Sequence, residues 1–66
     1  MTVTSLESLF NSINVNLFVA RRDLDSAIEK SGRLEPANAA LVEALQELYD
    51  RVDETLGKAA ETRKFL

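Results

Sequence analysis

Leu6, Phe10, Ile13, Leu17, Ala20, Leu24 and Ala27 follow one another at alternating steps of four and three residues. Apolar residues spaced that way for three repeats describe the stripe of a continuous α-helix and suit little else. A second stripe follows: Leu34, Leu41, Leu45, Leu48, Val52 and Ala59, with Thr55 in register and Leu56 beside it. Between the two lies Ser31-Gly32-Arg33-Leu34-Glu35-Pro36, which holds the only proline of the chain and the only glycine before Gly57. Glycine just past a helix end takes the left-handed conformation cheaply, and proline is tolerated in a helix's first turn. The interruption therefore reads as the stop of one helix and the start of another.

The boundaries follow from capping chemistry. Thr4-Ser5-Leu6-Glu7 fits a capping box, in which hydroxyl and carboxylate each satisfy a backbone N–H, so the first helix is expected over about residues 5–31. Ile13-Asn14-Val15-Asn16-Leu17 alternates like a strand, and Asn and Val are mediocre helix formers. A continuous helix is still the expectation, since no second strand exists for this segment to pair with, and a kink near 14–16 is the alternative. Lys30 favours the dipole in the last turn. Pro36 is placed in the first turn of the second helix, with Glu35 as an imperfect cap and Asn38 as a rival, giving a helix over about 36–63. Two helices, each about 40 Å long at 1.5 Å per residue, joined by so short a connection must run antiparallel. The expected fold is all-α: one helical-hairpin domain over residues 1–66.

Composition narrows the function. With 45% hydrophobic and 29% charged residues, the chain is too apolar for intrinsic disorder. A formal net charge of −3 argues against nucleic acid, because phosphate binding needs a basic face and only Arg21-Arg22 and Arg63-Lys64 offer one. The start of the chain has no basic segment before an apolar one, as a signal peptide would. The longest uncharged run, Ser8 to Ala20, is too short to span a bilayer. These features lead to the expectation of a soluble cytoplasmic protein that engages no membrane.

Catalytic chemistry is hard to place. There is no histidine and no cysteine, hence no base near neutral pH, no thiol nucleophile and no usual zinc site. The serines have no base partner at recognisable spacing. Asp23, Asp25 and Glu29 sit on a helical stretch without the mid-loop glycine of a calcium loop, and Gly32 and Gly57 do not make a phosphate-binding loop. The reading is a protein that is not an enzyme and uses no cofactor or metal.

What remains is surface. Two helices of this size leave a marginal core, and apolar residues lie off both stripes. Val15, Phe18 and Val19 fall opposite the first stripe, beside Arg22. Val42, Tyr49 and Leu56 recur every seven residues along a line flanking the second. Apolar groups of that extent mark partner sites, so these six residues are the candidate partner-binding set. Either they dock a different helical protein, or they pack in a self-dimer or against a small third helix. Glu43, Glu47, Asp50 and Glu54 form an acidic ridge, read as a solvated face.

The layout also carries a likeness. An opening Met1-Thr2 with Leu6-Glu7 and Leu9, a long helix, a Gly32-Arg33 turn and a second long helix holding Leu45-Gln46 resembles the small E-type co-chaperones of type III secretion needle subunits. Members of that family differ in a Gln- and Tyr-rich start to the second helix, where this chain has Ala37-Asn38-Ala39-Ala40. The resemblance implies a cytosolic hairpin that pairs with a larger helical-repeat chaperone, the two together holding the needle subunit monomeric before export. The alternative is a self-associating helical bundle with a structural or regulatory role, such as a small phage or plasmid factor.

Overall fold

The computed structural model describes residues 2–66. Two helices account for most of them, α1 over Val3–Ser31 and α2 over Ala39–Arg63. They pack along each other as an all-α hairpin, a rod whose extents are 52 × 15 × 13 Å. No strand occurs among the described residues.

Capping explains the boundaries and corrects two expectations. α1 starts at Val3 because Thr2, rather than Thr4, is the cap: the Thr2 hydroxyl accepts from the Ser5 N–H at 3.1 Å. The spacing of three is the same as in the Thr4–Glu7 reading, but starting at Thr2 adds two helical residues and still satisfies that N–H. α2 starts at Ala39, three residues later than Pro36 implies, because the Asn38 side chain accepts from the Leu41 N–H at 3.1 Å. Asn presents its oxygen on a short arm, which Glu35 does not. Pro36 therefore stands in the connector, residues 32–38, and the Glu35–Pro36 peptide is cis.

Gly32 departs from the expected left-handed cap. Its φ of −65° and ψ of −16° are right-handed, and no glycine of the described chain has positive φ. α1 ends instead by tightening. The Arg33 N–H donates to the Lys30 carbonyl at 3.1 Å and the Leu34 N–H to the Ser31 carbonyl at 3.2 Å, short-range bonds that occupy carbonyls left orphaned at a helix end. The helix runs unbroken through Asn14–Asn16, as the continuous stripe implies and against the kink that local preference offered as the alternative. Packing along α2 on one side of this segment outweighs those weak propensities.

Two side-chain contacts fix the register between the helices. Arg21 pairs with Asp53, and Arg63 donates to Asn11. In each pair the residue numbers add to 74 (21 with 53, 11 with 63), so the helices are antiparallel. Arg21 reaches across to α2, while Arg22 lies 3.8 Å from Asp23.

The interhelical seam is thin. Along α1 it comprises Phe10, Asn14, Leu17, Arg21, Leu24, Ile28 and Ser31, and along α2 Val42, Leu45, Tyr49, Val52, Leu56 and Ala59, all half-buried except Ser31 and Leu56. Among the described residues Leu56 is the one hydrophobic side chain below a tenth exposed, at 8%. Ser31, at the closed end, is covered too, and its hydroxyl donates to the Ile28 carbonyl at 2.9 Å.

Two substitutions probe these features. A methyl group added at Gly57, inside α2, meets nothing within 4 Å, so Gly57→Ala should stabilise by about 1 kcal/mol and raise Tm by about 4–8 °C. Thermal denaturation followed by circular dichroism measures it. Leu56→Ala removes the best-covered apolar side chain and should cost about 2–3 kcal/mol, the low part of the range for such truncations because a thin seam can close up. The urea midpoint at unchanged slope reads that loss.

Candidate partner-docking surfaces

The six expected partner-binding residues separate into two groups. Val15, Phe18 and Val19 are on the surface of α1, with Val15 60% and Phe18 55% exposed. Val42, Tyr49 and Leu56 are not a flanking line: they belong to the seam, and Leu56 is its most covered member. The correction has a simple cause. α2 is rotated about its axis so that the row at 42, 49 and 56 turns inward, while Leu41 and Leu48, taken as seam residues, turn partly out.

Phe18, Val19 and Tyr49 still meet. With Arg21, Arg22 and Asp25 they line a shallow groove of about 420 Å³ that crosses from α1 to α2. The Arg21 guanidinium carbon stands 5.1 Å from the centre of the Phe18 ring, within cation–π range. Arg21 is held there by Asp53, so this contact and the interhelical ion pair share one side chain. The groove thus combines an exposed aromatic face, two guanidinium groups and one carboxylate. Spacing alone had flagged Arg22; Arg21 and Asp25 enter only because α2 lies against that side of α1. Tyr49 has two roles here, lining the groove while half-buried in the seam, so a charge placed there disturbs the hairpin as well as the surface.

A second surface was not singled out from the sequence. Leu6, Ile13, Ala20 and Ala27 on α1 lie seven residues apart, as do Leu34, Leu41, Leu48 and Thr55 in the connector and α2. Helical spacing puts both rows on the side of the hairpin away from the Arg21–Asp53 pair. Ile13 is 45% and Leu48 51% exposed, Leu34 and Leu41 are exposed as well, and Leu6, Ala20 and Ala27 are half-buried. These residues were read as half of the hairpin's own seam. Seven of the eight are apolar, whereas the corresponding rows on the other side read Asn11, Phe18 and Asp25 on α1 and Gln46, Asp53 and Ala60 on α2. The open end adds Val3, Leu9 and Phe65, all exposed.

The acidic ridge of α2 is partly neutralised by its own helix. Glu47 pairs with Arg51 at 3.1 Å and Glu54 with Lys58 at 3.5 Å, each four residues apart. Exposed pairs of this kind contribute a few tenths of a kcal/mol and leave little net field. No helix among the described residues is long and apolar enough to cross a membrane. No protein family model, curated protein sequence or solved structure matches the chain.

Proposed function

We propose that this hairpin is a non-enzymatic protein-binding module, a co-chaperone or adaptor that presents the Phe18 groove to a helical partner in the cytoplasm. One observation carries the reading. A large aromatic ring stands more than half exposed beside two arginines, in a hairpin whose interior covers a single hydrophobic side chain among the described residues. Exposed aromatic and arginine side chains at the middle of a surface are the groups that most often dominate binding energy. The rod shape suits packing along another helix, because its whole length is available for ridges to fit into grooves.

The resemblance to E-type co-chaperones supplies the concrete form of this proposal. The partner is then a larger helical-repeat chaperone, and the cargo is a type III secretion needle subunit kept soluble until export. Docking would also stabilise the thin hairpin, since a ligand that binds only the folded state adds its binding free energy to folding.

Co-expression with such a chaperone and its needle subunit should give a soluble ternary complex of defined mass. Phe18→Asp should weaken that association by about 2 kcal/mol or more in isothermal titration, with the helical signal of the isolated chain unchanged. A needle subunit that stays soluble in the two-component mixture without the hairpin, or full-strength binding by Phe18→Asp, would overturn the proposal.

A further inference from the structure

We infer that the apolar rows Leu6–Ile13–Ala20–Ala27 and Leu34–Leu41–Leu48–Thr55 are covered by a second copy of this chain, the two hairpins closing into a four-helix bundle. This surface lies apart from the Phe18 groove and goes beyond the adaptor reading.

Three observations agree on that occupant. The first is pattern. The sequence stripes are two rows wide on each helix. The hairpin covers Phe10–Leu17–Leu24–Ser31 on α1 and Leu45–Val52–Ala59 on α2, but leaves Ile13 and the whole α2 row Leu34–Leu41–Leu48–Thr55 exposed, with Leu6, Ala20 and Ala27 half-buried at the border. In a bundle each helix touches two neighbours, and both rows then face the shared core.

The second is area. A compact monomer of 7.3 kDa exposes about 4,200 Å², whereas this chain exposes 5140 Å². The excess, close to 1,000 Å², and the footprint of one long side of the rod, about 780 Å² from 52 × 15 Å, both match the roughly 800 Å² per partner that a stable interface covers.

The third is charge. One position outward from the apolar rows, α1 carries Asn16, Asp23 and Lys30 and α2 carries Ala44, Arg51 and Lys58. When α1 of one copy lies antiparallel beside α2 of the other in the register already seen within the hairpin, Asp23 falls beside Arg51, Asn16 beside Lys58 and Lys30 beside Ala44. No like charges meet. Ala27 then sits next to Leu48 of the second copy, small against large. A two-fold axis along the rod produces this pairing twice, and every helix runs antiparallel to both neighbours.

Sedimentation equilibrium on the full chain tests it. At about 100 µM, well above a micromolar Kd, the expected mass is twice 7.3 kDa. Leu48→Glu should return the mass to that of one chain while Val15→Asp, on the opposite side of α1, leaves the dimer intact. A wild-type monomer at that concentration, or a Leu48→Glu chain that still dimerises, overturns the inference. If Leu48→Glu loses its helicity, the double variant Asp23→Cys with Arg51→Cys decides: oxidation should yield a covalent dimer, and failure to form one counts against the bundle. The Phe18→Asp variant should dimerise normally, so loss of the adaptor function and loss of the dimer are read separately.

Discussion

Everything in this molecule depends on how little one helix can cover of another. Two cylinders touch along a line, and with side chains of ordinary size that line conceals a strip one to two residues wide. Here the strip runs from Phe10 to Ser31 on α1 and from Val42 to Ala59 on α2, and within it only Leu56 and Ser31 are largely removed from water. Each further apolar residue is left at the border of the strip or outside it. The surface chemistry of the chain is therefore a direct consequence of its architecture.

The polar contacts act on this strip as locators rather than as sources of stability. Arg21 is half-buried and Asp53 exposed, and a pair that stays open to solvent on one side contributes little energy. Together with Arg63 and Asn11, however, it selects one register among the several that a heptad stripe allows. The same Arg21 then lies over Phe18 and gives the groove its cationic wall. One side chain thus links the pairing of the helices to the composition of the exposed surface.

The sequence made two features legible: the two helices and the reversal between them. Steps of three and four residues allow no other regular structure, and the chain is too short for a third long element. Rotation about each helix axis was not legible. Ile13 and Asn14, or Leu48 and Tyr49, are neighbours in sequence, and which of them turns inward depends on the other helix. Reading the stripe as one seam placed Ile13 and Leu48 inside and Tyr49 and Leu56 outside, while the structure puts Asn14, Tyr49 and Leu56 inside. The turn misled for a local reason. Gly32 and Pro36 have strong conformational preferences, yet the short side-chain oxygen of Asn38 sets the start of α2, and Gly32 remains right-handed. Of the candidate partner set, the exposure of Val15, Phe18 and Val19 was legible because they fall outside every version of the stripe.

In the two-hairpin bundle proposed above, folding and association are one event. Mass action then ties stability to protein concentration. The most direct measurement is the thermal midpoint of the isolated chain, followed by circular dichroism over about a hundred-fold range of concentration. A midpoint that climbs steadily with concentration is the predicted result. A midpoint that stays constant over the whole range, with full helicity at the lowest concentration, would show that the thin seam suffices alone and would contradict this view of the molecule.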